Sequence, residues 1–146
     1  MENRGEKKDK EKDQKQEWKD KMSKVESYET FHDGQTIFED GSDSDWIYIV
    51  KEGAVEIYKN VGGQKIVLEI LNEGDIFGEM AFIDRSPRSA TAAAKGTAVV
   101  GIIDRNFFNA EFNKVSKDFQ KIIEMIALRL RKTTERYIEM QKGQGD

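Results

Sequence analysis

The sequence contains no cysteine, and this absence excludes several kinds of chemistry. Without thiols the chain can form no disulfide, no thiolate metal site and no cysteine nucleophile. His32 is the only histidine, so a site that needs several imidazoles is excluded as well. A cytoplasmic setting fits this composition best.

Long apolar runs and a basic charge excess are also missing. No run approaches the roughly 20 apolar residues of a membrane span, and the charged N-terminus lacks the hydrophobic stretch of a signal peptide. We therefore expect a soluble protein without a membrane partner. The net charge of −4 gives no general attraction to nucleic acid, and no basic patch of convincing size is present.

The 146 residues divide into three segments and suit one core. Residues 1–22 alternate lysine with acidic residues, and Trp18 is their one large aromatic residue. Such a segment buries too little to order itself, and i,i+4 ion pairs add only about 0.2–0.5 kcal/mol each. It is predicted to be a disordered or marginally helical tail. Residues 23–115 and 116–146 are predicted to hold a β domain and a long helix.

Short β-like runs separated by turn residues fill the middle segment. The first two flank Gly53, a hairpin is predicted at Gly62-Gly63, and the last two flank Lys95-Gly96. Regular spacing of this kind is typical of a small β-sandwich or barrel. The five predicted strands are 45–50, 54–58, 66–71, 89–94 and 98–103.

The last segment has helical period. Apolar positions recur at steps of three and four, which predicts a helix from Ser116 to Gln141. Such a helix is about 39 Å long, so part of its apolar stripe lacks a partner within the chain. Pairing with a second copy would cover it, and a homodimer is expected.

The run from Phe77 to Thr91 is the most informative part of the sequence. A backbone that turns at Gly78 and enters a short helix presents amide N–H groups to an anion. Arg88 adds a guanidinium suited to phosphate oxygens, and Glu79 can accept hydrogen bonds from sugar hydroxyls. A phosphate with a ribose indicates a nucleotide.

This run resembles the phosphate-binding cassette of the cyclic nucleotide-binding domain, the module of catabolite activator proteins, protein kinase A regulatory subunits and nucleotide-gated channels. The resemblance spans about residues 25–141 and rests on Phe77-Gly78-Glu79-Met80-Ala81 followed by Arg88-Ser89-Ala90-Thr91. It implies a mostly β fold with flanking helices, a β-roll or jelly-roll that is followed by a long C-terminal helix.

The same resemblance implies roles for individual residues. Glu79 would take the ribose 2′-hydroxyl and Arg88 the cyclic phosphate, while backbone amides complete the pocket. The side-chain hydroxyl of Ser89, the residue after Arg88, would admit cyclic GMP without excluding cyclic AMP. The amides are those of Gly78, Met80, Ala81 and Ser89.

Thr133-Thr134 resembles the Thr-Ser pair by which catabolite activators bind the adenine amino group, with one residue of the pair coming from each subunit. This favours cAMP over cGMP as the ligand. Catabolite activators continue into a helix-turn-helix, for which the sequence after this helix has no room, so DNA binding by this chain is not expected. A stand-alone sensor and a fragment of a longer receptor both remain open.

Each assignment has a simpler alternative. Arg88 could form a surface ion pair with Asp84 or Glu79. Glu79 could merely interact favourably with the dipole of the helix in whose first turn it lies. The two threonines could be tolerated polar positions. His32 is predicted at the surface, and Trp46, Tyr48, Phe107 and Phe108 are predicted in the core rather than as a base-stacking platform.

The sequence is compatible with three functions. The first is a non-enzymatic cyclic nucleotide sensor that couples binding to movement of the C-terminal helix. The second is a cupin-like β-barrel enzyme, which one histidine makes improbable because such sites need two or three. The third is a ligand-free interaction module that keeps the fold and holds a partner.

Overall fold

The computed structural model describes residues 3–21 and 25–142 as an antiparallel β domain with flanking helices, which confirms the predicted fold class. The predicted tail is a helix over most of its length, although its first two residues, residue 22 and the side chain of Trp18 lie outside the described part. The elements are α1 (Arg4–Lys21), β1 (Val25–Phe31), β2 (Thr36–Phe38), β3 (Tyr48–Val61), β4 (Gln64–Leu71), β5 (Ile76–Phe77), α2 (Glu79–Asp84), β6 (Thr91–Ile103), α3 (Arg105–Lys114) and α4 (Lys117–Lys142).

Two long strands organise the sheet. β6 lies between β1 and β3, and β4 pairs with the other edge of β3. The short strands β2 and β5 pair with β6 and β3. The predicted hairpin at Gly62-Gly63 joins β3 to β4, where Val61 pairs with Gln64. Every pairing is antiparallel.

The predicted strand breaks at Gly53 and at Lys95-Gly96 are wrong. β3 and β6 each run through the supposed turn as one strand, and the ladder between them shifts register on both sides of Glu52. Gly53 has φ 80°, and a Cβ there would collide with the carbonyl oxygen of Thr97. Glycine therefore marks a β-bulge, where two strands approach closely, rather than a chain reversal.

The core has two parts. One fills the inside of the roll between β3, β6 and the short strands, where Val50, Val55 and Val100 are fully buried. The other joins the sheet to the helices through Ile47, Ile49, Phe82 and Ile103. Tyr48 is buried and stacks on Phe77, which confirms the core assignment of this tyrosine. His32 is exposed as predicted.

α3 was not predicted from the sequence. Asp104 caps it by accepting hydrogen bonds from the backbone N–H groups of Asn106 and Phe107. Phe108 and Phe112 then contact the edge of the Phe82 ring. α4 follows almost at once, within a residue of the predicted bounds, and packs against α2 and β4. The last four residues lie outside the described part of the chain.

Candidate functional site

The backbone between β5 and β6 builds one side of the site. Gly78 precedes α2 with φ 82°, and a Cβ at this position would lie 2.8 Å from Nη1 of Arg88 and 2.9 Å from the carbonyl oxygen of Trp46. Only glycine fits such a backbone without displacing the arginine. Arg85 ends the helix, also at positive φ. The chain then returns through Arg88 to β6.

Arg88 is a buried charge held by main-chain oxygens. Its side chain is packed over the Phe38 ring, with Cζ 4.1 Å from the ring centroid, and the residue is only 4% exposed. Nη1 donates to the carbonyl of Gly78 and Nη2 to that of Trp46, both at 2.6 Å. Nε donates to Oγ of Ser44 at 3.2 Å. Arg88 is therefore a buried guanidinium with several hydrogen bonds, and not simply one side of a surface ion pair.

A cavity of about 140 Å³ lies beside this arginine. Six of the eight predicted site residues line it, so residues separated by eleven positions in sequence share one wall. These six are Gly78, Glu79, Met80, Ala81, Arg88 and Ser89. Phe38, Ile57, Ile76 and Phe77 supply the apolar wall. A concave site with few polar groups on an apolar wall is the usual form of a ligand pocket.

Thr133 and Thr134 are not among the residues that line this cavity. Each hydroxyl donates at 3.0 Å to a carbonyl one turn earlier in α4, those of Arg129 and Leu130. Such bonds satisfy a helix threonine locally.

Arg131 is the α4 residue that lines the cavity, and sequence reasoning missed it. It forms an ion pair with Asp84 at the end of α2, through Nε and through Nη2, the latter at 3.0 Å. Its only sequence signal was a position two residues before Thr133, on a helix that also carries the exposed Arg129 and Arg136. Nothing in the sequence separates these three arginines, because the partner is 47 positions away.

The pKa values of Glu79, which lines the cavity, and of Asp84, at the far end of α2, are shifted in opposite directions. Burial raises the pKa of Glu79, with a smaller contribution from the negative charge of Glu69. Burial also acts to raise the pKa of Asp84, but hydrogen bonds from Arg131 and Ser86 outweigh it and the pKa is lowered. Burial lowers the pKa of Arg88, which as a guanidinium still remains charged. The pocket thus holds a fixed cation, Arg88, and a carboxyl, Glu79, whose pKa is raised.

The model of the cyclic nucleotide-binding domain matches residues 28–114, more than half of the chain. The chain belongs to the cyclic nucleotide-binding domain family. The matched region contains the cassette, α3 and all of the sheet except the first three residues of β1, so the predicted resemblance is confirmed. The family's fold agrees with the six-stranded antiparallel sheet and the long C-terminal helix described above.

Relatives of this cyclic nucleotide-binding domain include a kinase regulatory subunit and a kinase. A cAMP-dependent protein kinase regulatory subunit of Debaryomyces hansenii is 32% identical over 61% of this chain and 19% of its own length. A cGMP-dependent protein kinase of Toxoplasma gondii is 33% identical over 73% of this chain and 10% of its own length. The cAMP-bound structure of the EAL enzyme Bd1971 has a TM-score of 0.70 and 32% identity, covering 80% of this chain and 31% of that one. The chain thus spans less than a third of each of these proteins.

The described residues also bear on metal binding and on membrane spans. Residues 3–21 and 25–142 contain no group of three or more histidine, cysteine, aspartate or glutamate side chains placed to hold a metal ion. Within the same residues, no helix combines the length and apolar character needed to cross a membrane.

Proposed function

We propose that this cyclic nucleotide-binding domain is a regulatory sensor, not an enzyme, that binds cAMP in preference to cGMP in the cavity beside Arg88. The observation that carries the proposal is the convergence of a buried arginine and a carboxyl on one small cavity. A buried arginine without an acidic partner in contact is costly unless its hydrogen bonds are satisfied. Here two main-chain oxygens and the hydroxyl of Ser44 accept from three of its five N–H groups.

The remaining N–H groups of Arg88 suit the cyclic phosphate. Each charge-assisted hydrogen bond contributes about 1.5–3 kcal/mol. Backbone N–H groups of Gly78, Met80, Ala81 and Ser89 would take further phosphate oxygens. Ionised Glu79 would accept from the ribose 2′-hydroxyl, as the family resemblance implies.

The preference for cAMP rests on Thr133 and Thr134. One relative is named for cAMP and another for cGMP, so relatedness alone does not decide between the bases. A threonine hydroxyl that donates to its helix carbonyl keeps lone pairs that can accept from the adenine amino group. Both hydroxyls lie away from the cavity wall, so this contact requires α4 to move or to come from a partner subunit.

Movement of α4 is therefore the proposed output. A ligand that joins the cassette to this helix favours the helix position in which both contacts form, in proportion to its differential affinity. α4 also carries an exposed apolar face, which supports a homodimer in which two copies of the helix pair. The exposed side chains on this face are Phe119, Ile122, Ile126, Leu130, Tyr137 and Met140, whereas Met125 and Leu128 are exposed elsewhere on the helix.

A thermal-shift titration tests the proposal directly. Ligand at a hundred times its dissociation constant stabilises a protein by about 2.7 kcal/mol, so the melting temperature should rise with cAMP and less with cGMP. 5′-AMP, which has an open phosphate, is the control and should produce a smaller rise. An unchanged melting temperature with both cyclic nucleotides at millimolar concentration would refute ligand binding and favour the interaction module.

A further inference from the structure

We infer that the ion pair between Asp84 and Arg131 is the link by which the cassette and α4 move together, and that Arg131 is a positioning residue for nucleotide binding. The inference rests on the proposed function, because it concerns the same cavity. Asp84 and Arg131 are each 12% exposed at the side chain, and both nitrogens that face the carboxylate are used. By contrast, the pair Lys142–Glu139 lies within α4 and is exposed.

The position of the pair gives it this role. α2 has six residues; its first, Glu79, lines the cavity, and its last, Asp84, holds Arg131. Arg131 lines the cavity from the opposite element. A six-residue helix moves as one rigid piece, so a ligand that shifts Glu79 or Met80 also shifts the carboxylate that holds α4.

A further hydrogen bond and shielding from water make the ion pair between Asp84 and Arg131 a specific contact. Asp84 also accepts a hydrogen bond from the backbone N–H of Ser86 at 3.1 Å, which fixes the carboxylate. Removing one member of a pair that is largely shielded from water leaves the other charge poorly compensated. Arg131 and Arg88 are both cations near one cavity, and the charge of Arg131 contributes to lowering the pKa of Arg88. Pairing with Asp84 offsets that repulsion and keeps Arg131 at the wall.

A double-mutant cycle on nucleotide affinity tests the inference. Asp84→Asn and Arg131→Gln should each weaken cAMP binding about tenfold, or about 1.4 kcal/mol, and the double variant should bind no worse than either single variant. Arg131→Lys keeps the charge without the two-nitrogen fork and should show a smaller loss. Arg136→Gln, at an exposed position of the same helix, is the matched control and should bind as the wild type does.

A second readout follows the helix itself and needs no nucleotide. Because the chain has no cysteine, spin labels can be placed at Lys95→Cys and Glu135→Cys, both exposed positions. The distance distribution should be narrow in the otherwise unchanged protein and broaden in Asp84→Asn and Arg131→Gln. Melting curves of all variants establish that they fold.

The outcomes separate this inference from the proposed function. Equal affinities in all variants, or an unchanged distance distribution, would overturn the inference while leaving nucleotide binding intact. A loss in Arg131→Gln without a loss in Asp84→Asn would also overturn it, because Arg131 would then act on the ligand directly. Absence of binding by the wild type would overturn both the inference and the proposed function.

Discussion

Arg88 is the residue on which the proposed phosphate binding depends most. Its guanidinium is buried, lies over an aromatic ring and donates to two main-chain carbonyls from distant parts of the sequence. The same side chain is therefore structural, and it is also the proposed phosphate ligand. Truncation to alanine would leave buried acceptors unpaired, at about 1–3 kcal/mol each, and would confuse folding with binding.

Arg88→Lys is the sharper substitution. Lysine keeps the positive charge but loses the planar fork that spans the carbonyls of Gly78 and Trp46. We expect the free energy of unfolding to fall by about 2 kcal/mol and the dissociation constant for cAMP to rise at least about tenfold. Arg85→Lys, at an exposed position of the same loop, should change neither quantity. Urea denaturation and calorimetry measure the two effects, and wild-type affinity in Arg88→Lys would contradict the phosphate assignment.

Glu79 should make binding dependent on pH. Its folded-state pKa is raised above its ordinary value of 4.5 by burial, so its contribution to stability is complete below that value and is lost as pH rises through the folded pKa. A ribose hydroxyl donates to the ionised form, so cAMP affinity should instead fall as pH falls through the raised pKa.

Glu79→Gln separates these two effects. At neutral pH this variant should be more stable than the wild type without ligand, because it buries no charge, and it should bind cAMP more weakly. Calorimetry from neutral pH down to the ordinary carboxyl pKa of 4.5 should show a decline in affinity for the wild type and a flat profile for the variant. Parallel profiles would show that Glu79 does not contact the ligand.

At the scale of elements, the two long strands depend on one glycine. Gly53 combines φ 80° with an approach to Thr97 that leaves no space for a Cβ. Gly53→Ala should therefore destabilise the domain by about 3 kcal/mol, of which about 1–2 comes from the left-handed backbone. Gly34→Ala is the matched control, since φ is 79° but the space around a Cβ is open, and it should cost only about 1–2 kcal/mol. Equal losses in urea denaturation would refute the close approach.

The element scale also shows what a sequence can and cannot predict. Periodicity located α4 within a residue, because its apolar stripe is long. The turns predicted at Gly53 and Gly96 were wrong because a bulge and a turn need the same positive φ. Only the pairing with the neighbouring strand distinguishes the two. α3 was missed since its ten residues bury no side chain fully and show little contrast between faces. The cassette was predictable because its residues are close in sequence, whereas Arg131 meets Asp84 only after folding.

At the scale of the whole molecule, α4 is the proposed assembly surface. Its large apolar side chains are exposed along most of its length, Ile126 by 54% and Met140 by 66%. We predict that the protein sediments as a dimer at micromolar concentration and that Ile122→Glu combined with Ile126→Glu converts it to a monomer. Lys132→Ala, on the same helix, should leave the dimer intact. A monomeric wild type in analytical ultracentrifugation would contradict the predicted pairing.

The measurement that tests the central claim most directly is calorimetric titration of the wild-type chain with cAMP and cGMP. We predict saturable binding of one nucleotide per chain, tighter for cAMP, with an affinity that is at least about tenfold lower in Arg88→Lys. Absence of binding at millimolar nucleotide, or identical titrations for wild type and Arg88→Lys, would contradict it.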